Sequence, residues 1–301
     1  MTARKAGTAR ATALIGPVLM LGQVVSLQAG AAVAKDAYSV VSPTVLAGMR
    51  LAFAALVMWM LVRPRLRTVT RRQWHGAILL GLVFAAMNVA YFQTIKYLPL
   101  GLAATLELLG PLALSIALSR RPAHAGAALL ALVGVALLAG PGAPLPATGI
   151  ALGGLAAAVR AGYVILNQRV GRLFPDFTGL SIALACGSIV LVPIAAASVG
   201  QDVVAHPTVI ATGFAVALLS SVIPYALDVT LLRRIDKRVF GVLLTLGPAV
   251  GALVGFLALG EQLITRHLVA IALVVVAGAW AMRQESRHPP RRARHRSHVA
   301  A

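Results

Sequence analysis

Apolar residues in this chain do not alternate with polar ones. They form long unbroken runs, separated by short segments that hold most of the charges. A half-wet strand or a lipid-facing barrel strand would alternate with period two. Continuous apolar runs of about 20 residues instead match the hydrocarbon thickness of a bilayer crossed by an α-helix. Such runs lie at 12–34, 42–62, 74–95, 98–118, 123–140, 147–168, 177–198, 207–230, 239–258 and 265–282. Together they use about two thirds of the 301 residues and leave no room for a soluble domain. Two junctions are tight, at Tyr97-Leu-Pro-Leu-Gly101 and Gly140-Pro-Gly-Ala-Pro-Leu-Pro146, where proline and glycine break the helix and predict hairpins.

The pattern also repeats. Leu106-Glu-Leu-Leu-Gly-Pro111 returns 137 residues later as Leu243-Leu-Thr-Leu-Gly-Pro248, and the same offset lays spans one to five on spans six to ten. Five helices per half is an odd number, so the second copy must sit inverted. The expected fold is therefore all-α integral membrane, with ten transmembrane helices in two inverted five-helix repeats. The first repeat covers 12–140 and the second 147–283, flanked by a cytoplasmic N-terminus (1–11) and a disordered basic cytoplasmic tail (284–301). Inverted repeats are a transporter architecture with sites near the midplane between repeats. The basic start followed by Ala32-Val-Ala34 imitates a signal peptide, but this segment has an internal counterpart in the repeat, so it reads as the first helix.

Composition agrees. The chain is 59% hydrophobic and 12% charged, with mean hydropathy +0.87. A soluble domain carries about 25% charged residues, because water must be met by polar groups. The net charge of +19 would elsewhere suggest nucleic acid, yet the charges sit in short inter-span clusters and a tail, with no recognition helix or stacking aromatics beside them. Of the 27 Lys and Arg, 22 fall in one set of alternate loops and termini, and three (Lys35, Lys96 and Arg266) in the other. That bias predicts cytoplasmic termini in an inner (plasma) membrane. The implied partners are the lipid bilayer, whose anionic headgroups the tail can meet, and no nucleic acid.

Enzyme signatures are missing: no Gly-x-Gly-x-x-Gly, no Walker-type loop, no Gly-x-Ser-x-Gly and no His-Glu-x-x-His. No cofactor or metal site is expected, and the single Cys186 reads as a small buried apolar side chain. The informative residues are the charges inside the spans. Arg50, Glu107 and Arg160 fall near mid-span and Asp228 toward the cytoplasmic end of the eighth. Each charge at a helix centre costs about 2.5–3.5 kcal/mol on insertion scales, so such groups face a cavity or a partner. Two readings stand: buried ion pairs that hold the bundle, or a binding site. The repeat offset carries Arg50 to Gly187, Glu107 to Leu244, Arg160 to Gln23 and Asp228 to Tyr91, duplicating no charge and favouring one asymmetric site. Gln28, Asn88 and Tyr91 add polar groups that either line it or hydrogen-bond between helices. Gln23, Ser26 and Gly30 share a face of the first helix, and Gly247-x-x-x-Gly251-x-x-x-Gly255 reads as close helix packing.

Taken in order, several stretches resemble a family: Ser26-Leu-Gln-Ala-Gly-Ala with Lys35, Arg50-Leu-Ala, Met87-Asn through Pro99-Leu-Gly, Glu107 with Gly110-Pro-Leu-Ala, and Ser119-Arg-Arg-Pro. Tyr163 with Gln168-Arg, Pro224-Tyr-Ala-Leu-Asp228, Phe240-Gly and Leu259-Gly-Glu261 follow. From about residue 14 to 283 the chain resembles the EamA-type transporters of the drug/metabolite transporter superfamily, most closely the bacterial threonine/homoserine exporters. The resemblance implies ten helices in two inverted repeats and export of amino acids or similar metabolites by proton exchange. Two departures stand out: Gly247 where the family often has Glu, and Arg160 where an aromatic is expected. With this resemblance, Arg50 and Arg160 are expected to hold a carboxylate, and Glu107 and Asp228 an ammonium group or a coupling proton. The expected partners are a small zwitterionic substrate, an amino acid such as threonine or homoserine, and protons; a homodimer is compatible. The alternatives are an exporter of drugs or another metabolite on the same fold, and a non-transporting structural membrane protein. A nearby Arg50 is expected to be the counter-charge of Glu107.

Overall fold

The computed structural model describes residues 2–118, 122–138, 145–174, 176–197, 206–224, 227 and 245–287. Asp228, most of the segment before Thr245, and the tail beyond Arg287 lie outside the described residues. Among the described residues the secondary structure is helical, with no strand. The α-helices are α1 (Thr2–Asp36), α2 (Pro43–Val62), α3 (Arg71–Tyr97), α4 (Leu100–Leu118), α5 (Pro122–Leu138), α6 (Ala147–Leu173), α7 (Thr178–Ala197), α8 (Thr208–Ala217), α9 (Gly247–Leu259) and α10 (Thr265–Arg287). Among the described residues, five stretches are long and apolar enough to cross a membrane: Val18–Ser39, Pro43–Val62, Arg71–Tyr97, Ala147–Leu173 and Thr178–Ala197. Shorter apolar stretches lie in α4, α8, α9 and α10.

Local chemistry sets the ends. Ser42 caps α2 by accepting the Val45 N–H, and Pro43 opens the helix where no intrahelical donor is needed. Thr70 and Gln73 form a reciprocal capping box on α3, which stops before the hairpin proline Pro99. The ninth span is expected from residue 239; residues 239–244 lie outside the described residues, Thr245 and Leu246 lie in a turn, and α9 starts at Gly247. Pro248 explains the start: without an N–H and with φ fixed near −65°, it suits a first turn better than a helix interior. The eighth span also departs from a plain helix, since α8 continues as a π-helical turn over Leu218–Val222.

Packing brings the two halves together. α2 lies mainly on α7, α3 on α6 and α7, α4 on α6 and α9, α5 on α10, and α1 on α9 and the π-helical turn. The core between them is dense and apolar, with Leu80, Phe84, Phe92, Ile95, Leu98, Leu100 and Leu102 fully buried. The outside is apolar too: Leu61, Ile189 and Leu257 are each more than 70% exposed. Water would disfavour a surface of such side chains, whereas lipid solvates it.

Candidate functional site

A charged pair is built where α4 meets α6. Gly110 lies so close to α6 that a Cβ there would overlap the carbonyl of Ala157. That approach brings the preceding turn of α4, with Glu107, beside the following turn of α6, with Arg160. The two form an ion pair, Arg160 Nη1 donating to Glu107 Oε1 at 3.4 Å. The pair is loose and keeps partial access, 18% for Glu107 and 29% for Arg160. Arg160 also touches Met87 Sδ at 3.6 Å and lies 5.2 Å from the ring centre of Tyr163. Pro111 sits inside α4 and supplies no N–H to the carbonyl of Glu107, four residues earlier. An ammonium group arriving here would meet a carboxylate together with a backbone carbonyl that Pro111 leaves without its usual i+4 donor.

Arg50 is placed elsewhere, which corrects the expected Arg50–Glu107 pairing. It is buried on α2, donating from Nε to Ser221 Oγ at 3.1 Å and from Nη2 to the Ser220 carbonyl at 2.8 Å. Its guanidinium lies 5.5 Å from the ring centre of Phe92. The reason is the π-helical turn. Closing i→i+5 bonds, such as Ile223 N–H to the Leu218 carbonyl, widens the backbone and leaves carbonyls able to accept from side chains. Leu219 likewise accepts from Ser26 Oγ at 2.7 Å, and a Cβ on Gly30 would overlap Ser220 Oγ. Ser26 and Gly30, on the polar face of α1 read from spacing, thus pack against this turn.

A second polar chain runs through α1, α3 and α9. Tyr91 donates its hydroxyl to Gln28 Oε1 at 3.3 Å, and Gln28 Nε2 donates to the Gly247 carbonyl at 3.1 Å. Gly251 leaves the room for Gln28, so the glycine run of α9 serves close packing. Asn88, one turn before Tyr91, donates Nδ2 to the Phe84 carbonyl at 2.8 Å. Phe84 in turn packs on Tyr163, ring centres 5.3 Å apart. The α3 face that carries Asn88 and Tyr91 thus reaches Arg160 through Met87 and Gln28 through Tyr91; Arg50 meets the same helix at Phe92, and Asp228 is outside the described residues.

Sequence reading gave no role to a second ion pair. Lys35 Nζ, at the end of α1, donates to Glu261 Oε1 at 2.6 Å and to the Leu98 carbonyl at 2.8 Å. Glu261 Oε2 accepts the Leu100 N–H at 2.9 Å, on the hairpin between α3 and α4. Gly260 makes this possible: it adopts φ +65, closing α9 so that Glu261 N–H bonds back to the Gly255 carbonyl. The signal was present in the chain, since Lys35 and Glu261 are opposite charges in loops of the sparsely charged side.

The EamA-like transporter family matches residues 147–283. The threonine/homoserine exporter RhtA of Escherichia coli strain K12 is 32% identical over 263 residues, covering 86% of this chain and 88% of that protein. RhtA of Salmonella typhimurium strain LT2 is 32% identical over 265 residues, covering 87% and 89%. One crystal structure, 19% identical, covers 90% of this chain and 98% of its own with a TM-score of 0.60, a likeness of fold alone.

Proposed function

The chain belongs to the EamA-like transporter family, whose members are transporters and not enzymes, and from this premise we propose that it exports small zwitterionic amino acids, threonine and homoserine first among them, in exchange for protons. The observation that carries the reading is the Glu107–Arg160 pair. A tight, sealed pair would serve structure; a 3.4 Å pair that keeps partial access inside an apolar bundle is open to competition. A zwitterion offers it two charges of the required signs, the ammonium to Glu107 and the carboxylate to Arg160. Each end then exchanges a hydration shell for a fixed counter-charge. When substrate leaves, a proton on Glu107 removes the cost of an isolated carboxylate at that depth. Arg50, beside the π-helical turn, is a second carboxylate anchor, and Asp228 a second acceptor for ammonium or proton.

The scaffold is ten spans in two inverted repeats, 12–140 and 147–283, with both termini cytoplasmic in the inner membrane. The exchange-symmetric packing supports it: α2 on α7, α4 on α9 and α5 on α10 pair equivalent helices, and α3 on α6 mirrors the π-helical turn of α8 on α1. The family match over 147–283 coincides with the second repeat. Export of these amino acids is supported by the names of the relatives, which cover most of the chain.

Expression in a host challenged with excess threonine or homoserine tests the reading. Tolerance should rise and the intracellular pool should fall. Unchanged tolerance and efflux, with the protein shown in the membrane, would overturn it.

A further inference from the structure

Resting on that reading, we propose that Asn88 recognises the side-chain hydroxyl of the substrate, and so selects hydroxylated amino acids from their deoxy analogues. The motivating observation is one atom. Asn88 is 4% exposed, and its Oδ1 has no hydrogen-bond partner among the described residues. The orientation of the amide is set by chemistry: only the Nδ2 end can face the Phe84 carbonyl, because a carbonyl accepts and does not donate. Both ends of the side chain are thereby assigned. Nδ2 is spent on the helix backbone, and Oδ1 is an acceptor waiting for a neutral donor.

Its neighbours place that acceptor beside the charged pair. Phe84, Met87, Asn88 and Tyr91 share one face of α3 at i, i+3, i+4 and i+7. Met87 touches Arg160, Phe84 packs on the Tyr163 ring near the Arg160 guanidinium, and Tyr91 donates to Gln28. Asn88 therefore lies between the levels of Arg160 and of the Tyr91–Gln28 link, separated by about 1.5 Å of helix rise per residue. The division of labour follows from charge. An ammonium group is drawn to the Glu107 carboxylate and a carboxylate to Arg160, leaving the uncharged amide oxygen for an uncharged O–H. Threonine and homoserine each carry one such O–H beyond the zwitterion. Bound without it, a substrate leaves Oδ1 buried and unpaired, which is how a polar site rejects an analogue lacking the group.

The experiment uses the full chain in proteoliposomes, comparing threonine, homoserine and 2-aminobutyrate, which lacks the hydroxyl of both. The wild-type protein should prefer the two hydroxylated substrates by between about five- and 150-fold in initial rate at low concentration, the range set by one unpaired buried acceptor. Asn88→Thr is the informative variant. Its hydroxyl can bond back to the Phe84 carbonyl, as Thr94 does to Ala90 and Thr105 to Gly101 in this chain, while the projecting amide oxygen is gone. It should bring the three substrates close to parity through loss on the hydroxylated ones, and Asn88→Leu should do the same. A wild-type protein that moves threonine and 2-aminobutyrate equally would refute the assignment while leaving amino-acid export standing. An equal loss on all three substrates in both variants would show a packing role and refute it too. A wild-type protein that moves none of the three overturns the export reading, and this assignment with it.

Discussion

At the scale of single residues, the account turns on which charges meet. Mid-span depth and proline spacing make Glu107 visible from sequence alone, because a carboxylate in an apolar run needs an explanation. Its partner was not visible. Arg50 and Arg160 look equivalent along the chain, and nothing in one sequence states which helices touch; Gly110 against Ala157 brings in Arg160, and the π-helical turn holds Arg50 away. If the pair is a working site, Glu107→Gln should insert at normal abundance and lose export. If it only braces α4 to α6, Glu107→Gln should lower abundance, and exchanging the two charges, Glu107→Arg with Arg160→Glu, should restore it. Membrane abundance measured beside efflux separates the two, and we expect the first result.

At the scale of helices, most boundaries were legible, because apolar run length and Pro/Gly punctuation are local. α2, α4 and α7 begin and end within two residues of the expected spans. Other departures are not readable from run length: α1 starts at Thr2, α6 and α10 run on to Leu173 and Arg287, and the eighth span contains a π-helical turn at Leu218–Val222 that accepts from Ser26 and Arg50. The contact of α4 with α6 yields a prediction of its own. Gly110→Ala must push α4 from α6, since the new methyl meets backbone rather than a flexible side chain. Overpacking of this kind costs about 1–3 kcal/mol, and it should also separate Glu107 from Arg160 and abolish transport. Gly154→Ala, on α6 with nothing within 4 Å of the new methyl, should be neutral or slightly stabilising. Thermal unfolding in detergent with parallel flux would check both; a Gly110→Ala protein as stable and active as the parent would contradict the packing argument.

For the whole molecule, the charge distribution predicts the orientation: 22 Lys and Arg in one set of loops and termini against three in the other. With Cys186 replaced, a cysteine in the loop at 199–206 should react with an impermeant reagent from outside, and one beside Arg67 should not. The opposite labelling would invert the topology. In this orientation Lys35 and Glu261 tie α1, the α3–α4 hairpin and the α9–α10 loop together on the outer side, so the two proposed repeats are joined there. The pair at Glu107 lies deeper in the spans and is looser, a difference consistent with exchange at the centre and closure at the outer rim. The most direct measurement is proton movement in proteoliposomes loaded with a pH-sensitive dye. Adding threonine to vesicles holding the wild-type protein should drive proton flux opposite to substrate, and Glu107→Gln vesicles with equal protein should show none. Threonine movement without proton movement, or proton coupling that survives in Glu107→Gln, would contradict the account.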